Sequence, residues 1–257
     1  MERWSLIRWR KCGHAYRRVD GNNLKTTDGT KDKMKLSLEK HDLLTYVATQ
    51  MDHFFPDKYY LKGSDVSSAL DLALERLEYC YQHICVKAYN DETQTFFSHL
   101  HGDQYSQFLY YFSNSLWSIS ENKPLCDKMV QLNRCLSGIF YSYHSGLPDI
   151  FYFSHAVGSV LGKAKYGNYL YCAQNCTIST QIGDKQFGEG LFLGAGASIL
   201  DANIEIGDWV VVGGGTTVHG KGIKLDSETF IYRDRTGELI QGHRSKEKWP
   251  KGIFRKM

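Results

Sequence analysis

Large apolar side chains recur at a spacing of six through the second half of the sequence. Val160, Tyr166, Cys172 and Ile178 stand six apart; after a break the spacing resumes at Phe187, Leu193 and Ile199, and after another at Ile206, Val212 and Val218. A glycine follows many of these anchors, at Gly167, Gly188, Gly194, Gly207 and Gly213, and a small or apolar residue stands four positions after others, at Cys176, Ala197, Val210 and Thr216. A repeat of this length is one supersecondary unit that cannot bury its own apolar side chain and must stack on its neighbours. Each six-residue unit reads as a short strand and a sharp corner. Three units close one triangular coil, and the anchors stack into a continuous core inside a narrow prism. Glycine falls where the corner needs a positive φ or a close approach of backbone.

Before Pro148 the periodicity is helical. Leu44, Val47, Met51 and Phe54 form one stripe ahead of Pro56, and Leu70, Leu74, Leu77 and Tyr81 form another behind Ser64, a suitable N-cap. An aromatic-rich helix follows over 102–117, and a fourth begins near Pro124. The expected fold class is α+β, with a helical domain over 35–147 and a parallel β-prism over 148–225. Residues 1–34 are polar and aperiodic and read as a poorly ordered basic leader, with 226–257 as a basic tail.

Composition narrows the function classes. Among 257 residues, 23% are charged and no apolar run approaches the roughly 18 residues that a membrane span needs. The net charge of +3 hides an uneven distribution: +6 on residues 1–35, +5 on 241–257, and −8 between them. No aromatic-interleaved or recognition-helix pattern accompanies the basic ends, so nucleic acid is not an expected partner. The N-terminus lacks the apolar stretch of a secretory signal. Seven cysteines, an odd number without a CxxC pair, argue against a disulfide framework and against a zinc site; a cytoplasmic protein with small buried thiols and no metal is expected.

Two segments carry a family resemblance: SHAVGSVLGKAKYGNYLYCAQNCTIS at 154–179 and LFLGAGASILDANIEIGDWVVVGGGTTV at 191–218. They resemble the hexapeptide-repeat acyltransferases, and helices followed by such a prism resemble the serine acetyltransferase branch in particular. The resemblance implies a left-handed parallel β-helix, acetyl-CoA as co-substrate, and a homotrimer or dimer of trimers with active sites between prisms. It also implies that His155 is a general base. An acceptor hydroxyl is a poor nucleophile at neutral pH, and an imidazole that removes its proton as the new bond forms contributes roughly 10²–10⁴-fold.

The resemblance places the orienting carboxylate one coil before this histidine, where Phe140 stands; Asp149 is the nearest upstream substitute. Ser154 replaces an aspartate beside the base and becomes a candidate acceptor contact. The loop STQIGDKQFGEG at 179–190 has Asp184, Lys185 and Gln186 where the family has an Arg-His pair that grips an amino-acid carboxylate. Lys185 is therefore a candidate contact for an acceptor without a carboxylate. Gly194, Ala195, Gly196, Gly213 and Gly214 are the candidates for the pantetheine groove, and Lys221 for the CoA phosphates. Asp103, in HLHGDQY, reads either as the border of the acceptor site or as the N-cap of the third helix. The function expected is O-acetylation of a sugar or polysaccharide-precursor hydroxyl on a small-molecule or glycan acceptor. The alternatives are a serine O-acetyltransferase of cysteine biosynthesis, a sugar N-acetyltransferase, and a non-catalytic scaffold.

Overall fold

The structure is a computed structural model that describes residues 33–220, 222–244 and 252–255. Most of the expected leader and part of the basic tail lie outside these residues; Met34, at the leader's end, is buried in the helical core. The described chain opens with β1 (Lys35–Leu36), α1 (Lys40–Phe54), α2 (Ser64–Gln82), β2 (Phe96–Phe97), α3 (Gly102–Ser120) and α4 (Lys123–Ser137). Asn122 caps α4 by accepting the Leu125 N–H, Pro124 occupies its first turn, and Gly138 ends it at φ +66°. Ser64 is the first residue of α2 rather than its cap, which is Gly63. In α1 the buried stripe is Leu43, Val47 and Met51, one residue away from the expected one at its start, and Phe54 is exposed. Spacings of three and four fit both stripes; the side facing α4 decides between them.

α3 is the centre of the helical part. Every residue from Gln104 to Ser113 is buried, as befits a helix covered on all sides. It packs against α2 and α4, and its polar atoms reach the first coil of the prism. Tyr110 Oη donates to the Leu147 carbonyl at 3.1 Å, Tyr111 Oη to the Asp149 carbonyl at 3.0 Å, and Gln107 Nε2 to the Phe151 carbonyl at 2.8 Å. Helices and prism thereby share one hydrophobic core.

The prism is a left-handed parallel β-helix of about five turns. Its first face holds β3 (Phe140–Tyr141), β5 (Val160–Leu161), β8 (Thr177–Ile178), β11 (Ser198–Ile199) and β14 (Thr217–Val218). The second holds β4 (Phe151–Phe153), β7 (Leu170–Cys172), β10 (Phe192–Leu193), β13 (Val211–Val212) and β16 (Thr229–Arg233), with β17 (Leu239–His243) added antiparallel at its end. The third holds β6 (Lys165–Tyr166), β9 (Lys185–Phe187), β12 (Ile204–Ile206) and β15 (Lys224–Leu225).

Register stacks the anchors into three inward columns: Tyr141–Leu161–Ile178–Ile199–Val218, Phe153–Cys172–Leu193–Val212–Ile231 and Tyr166–Phe187–Ile206–Leu225. Leu161, not Val160, occupies its column; Val160 turns outward because neighbours along a strand point to opposite faces. The strand ladder starts at Phe140 and runs to Arg233, beyond both ends of the 148–225 repeat read in the sequence. β16 and β17 form a hairpin within the expected basic tail. The chain then returns to the helices, where Cys85 N–H donates to the Ile253 carbonyl at 2.7 Å and Arg255 N–H to the His83 carbonyl at 2.8 Å. No described helix is long and apolar enough to cross a membrane.

Candidate active site

Three of the four complete corners between the second and first faces are alike. From inward residue to inward residue they span Cys172 to Ile178, Leu193 to Ile199 and Val212 to Val218, six positions each, whereas the first spans Phe153 to Leu161, eight positions. The two extra residues form a bulge that carries His155. Ladder bonding is intact at Ser154, whose N–H reaches the Cys172 carbonyl at 2.9 Å, and resumes at Val160 N–H on the Cys176 carbonyl at 2.8 Å. Between them His155 adopts φ +52° and its carbonyl accepts the Val157 N–H at 2.7 Å. This left-handed backbone throws the imidazole outward, and its side chain is 88% exposed.

The bulge is held from outside the prism. Asp103, in the first turn of α3, places Oδ2 2.9 Å from the His155 N–H and Oδ1 3.3 Å from the Ala156 N–H. The same Oδ2 lies 3.6 Å from His155 Nδ1. Asp103 is not the N-cap of α3; that position is His101, and no side chain caps the helix. Its carboxylate also sits where the helix dipole favours negative charge. Beside it Ser154 is half-buried, and burial, with the Asp103 charge adding to it, pushes the Tyr152 phenol up to about 12.

Asp149 does not approach the imidazole. It stands at the opposite end of β4, 53% exposed, 3.8 Å from the Arg76 guanidinium. Gly194, Ala195, Gly196, Gly213 and Gly214 do share an edge with His155, on the same corner two and three coils further along. The positive-φ positions there align as Gly158, Asn175, Gly196 and Gly215. Gly196 N–H donates to the Gln174 carbonyl at 2.9 Å and Gly215 N–H to the Ala195 carbonyl at 2.8 Å. Packing alone accounts for Gly194, where a Cβ would stand 2.7 Å from the Gly214 nitrogen. Ala195 and Gly214 are exposed, and Gln174 and Asn175, which the sequence reading did not single out, stand exposed on the coil between them and His155. Lys221 lies outside the described residues. Among the described residues no group of three or more His, Cys, Asp or Glu is gathered for a metal.

Lys185 is not on the surface. It pairs with Ile204 in the third face, turns inward above Phe187 and is 2% exposed, with Nζ donating to the Gln181 carbonyl at 2.5 Å. It cannot touch an acceptor. Its role is to tie down the longest corner of the prism, from Ile178 to Phe187, while Asp184 pairs with Lys165 and Gln186. Burial lowers the Lys185 pKa, so the folded protein binds this proton less tightly than the unfolded chain. Stability should therefore rise with pH between the lowered value and the ordinary lysine value of about 10.4. Buried tyrosines with raised pKa values act oppositely above about pH 10, and the buried thiols Cys80 and Cys126, pushed up by burial to about 11 and about 12, do so from about pH 8.5. In thermal melts from pH 7 to 9.5 the Tm of the wild type should rise relative to that of Lys185→Met; parallel profiles would refute the assignment.

No family model matches the sequence, and neither does any curated protein. Solved structures do match. The serine acetyltransferase of Neisseria gonorrhoeae aligns at a TM-score of 0.53 and 17% identity, over 87% of this chain and 95% of that one. Serine acetyltransferase isoform 3 of Entamoeba histolytica, in complex with cysteine, aligns at 0.51 and 15%, over 81% and 75%. A serine acetyltransferase complex with CoA aligns at 0.54 and 17%, over 68% and 73%. The chain shares the fold of these proteins. At these identities the likeness is one of architecture, helices before a left-handed prism, and the assignment of chemistry rests on the residues themselves.

Proposed function

We propose that this chain is an acetyl-CoA-dependent O-acetyltransferase with His155 as its general base. The observation that carries this reading is the enlarged first corner. Two inserted residues and a left-handed backbone put a single imidazole outside the prism, at one end of a corner edge that carries exposed small residues at Ala195 and Gly214. That edge crosses about four coils and runs roughly 14 Å at the usual strand spacing. A slim thioester-bearing arm laid along it would meet exposed Ala195 and Gly214 and the corner carbonyls, and would present its acyl carbon towards His155. There the imidazole accepts the proton of the acceptor hydroxyl as its oxygen bonds to the acyl carbon. As the C–S bond breaks, the same proton passes to the departing thiolate.

The case for a sugar rested on Asp184 and Lys185 replacing an Arg-His carboxylate clamp, and the burial of Lys185 leaves that loss in place. The fold neighbours are named as serine acetyltransferases, which makes L-serine the first acceptor to test. A sugar hydroxyl is the second reading, since among the described residues the 179–186 loop offers no uncommitted cation for a carboxylate. We also take the protein to be a homotrimer: an imidazole this exposed leaves one side of the site open, and a second prism would close it.

A thiol-release assay with acetyl-CoA against serine, nucleotide sugars and glycans tests the function, and light scattering on the same preparation tests the assembly. Turnover of serine above all sugars supports the first acceptor, and the reverse order the second. No thiol release with any acceptor would overturn the enzymatic reading, and an active monomer would overturn the trimer.

A further inference from the structure

The resting place of the Asp103 carboxylate is unusual for a helix-start aspartate. It caps none of its own helix's amides; both oxygens leave α3 and bond the backbone of a bulge 52 positions further along the chain. The two bonded amides belong to His155 and to the residue after it. Asp103 is thus fixed by the segment that carries the base, and its side chain is 12% exposed against 88% for the imidazole. Among the described ion pairs Asp103 is the one partner of His155; the other upstream candidate, Asp149, is engaged with Arg76.

We infer that Asp103 is the positioning residue of His155, a carboxylate supplied by the helical layer that holds the Nδ1–H form of the imidazole and leaves Nε2 free to take the acceptor proton. This rests on the reading of His155 as a base. The present Nδ1 to Oδ2 distance of 3.6 Å is longer than a hydrogen bond. The ring is the mobile partner and the carboxylate the fixed one, so a modest rotation of the exposed side chain closes the gap, and such bonds commonly tighten only when substrate arrives. The bond chosen by one ring nitrogen sets the tautomer of the other. Two backbone amides on Oδ1 and Oδ2 restrain the carboxylate's rotation. Behind it, Tyr81 and Tyr89 are buried phenols whose pKa values are raised mainly by burial, with the Asp103 charge contributing, so no second anion competes for the imidazole from that side.

Ring 15N NMR of the full-length protein tests this without any acceptor. His155 in the wild type should show a larger Nδ1–H fraction than the solvent-exposed His53, and Asp103→Asn should return it to the His53 pattern. Indistinguishable His155 and His53 rings in the wild type would overturn the inference whether or not the variant folds. In turnover, Asp103→Asn should lower kcat by about 10–10²-fold with the acetyl-CoA KM within about twofold, and Asp103→Glu should recover part of the loss. A wild-type kcat in Asp103→Asn would also overturn it. Inactivity of the wild type towards every acceptor, with the tautomer contrast intact, would instead count against the base and not against the contact.

Discussion

His155→Ala should lower kcat by at least about 10²-fold while changing acetyl-CoA affinity little. The physical reason is the separation of the two contacts. The imidazole stands on the bulge of the first corner, and the small residues that would take the pantetheine arm belong to the third and fourth coils. Truncation at Cβ removes the proton acceptor alone. The fold should be indifferent to it: the side chain is almost wholly exposed, and the backbone bonds to Asp103 come from the His155 and Ala156 amides. Circular dichroism and Tm should therefore match the wild type. The informative measurement is single-turnover thiol release beside acetyl-CoA binding by calorimetry. A variant with near-normal turnover, or one that binds acetyl-CoA far more weakly with kcat unchanged, would remove His155 from the role of base.

Gly162→Ala should be among the most destabilising single methyl additions in the prism. Gly162 follows Leu161 on the first face, and its N–H bonds the Ile178 carbonyl at 3.0 Å. A Cβ there would stand 2.0 Å from the Ser179 carbonyl oxygen and 2.8 Å from that of Ile178. Both obstacles are backbone atoms in a hydrogen-bonded ladder, so relief requires two coils to separate. Losing ladder bonds and inward packing together should cost about 3 kcal/mol or more, roughly 6–12 °C in Tm for a chain of this size. Gly215→Ala is the comparison. Its φ of +67° strains any side chain, but nothing lies within 4 Å of the added carbon, so about 1–2 kcal/mol is expected. Equal losses in the two variants would show that coil spacing is less rigid than the ladder implies.

The expectations that failed share a pattern. Reading Val160 as an anchor hid the two-residue insertion, because counting from Phe153 to Leu161 gives eight where the other corners give six. The inward turn of Lys185 was also available: it stands two residues before Phe187 on one strand, which puts both on the same side. The irregular corner after Ile178 concealed where that strand begins. In α1, two overlapping stripes were equally regular, and only the packing against α4 chose between them.

Local spacing by itself determined the architecture. Helical periodicity up to about residue 140 and the six-residue period after it dictate four helices and a three-sided parallel prism, because each is a short-range rule about which side chains can be buried together. His155 was singled out differently, by the resemblance of the 154–179 segment and not by spacing. What only the tertiary structure decided is which carboxylate meets it. Asp103 and Asp149 are equivalent as letters, and Asp149 is the nearer in sequence. Docking of α3 on the first coil brings Asp103 to the bulge amides, while the three-residue strand β4 carries Asp149 to the far corner and Arg76. A contact across 52 residues depends on how two layers pack, and no periodicity within either layer encodes it.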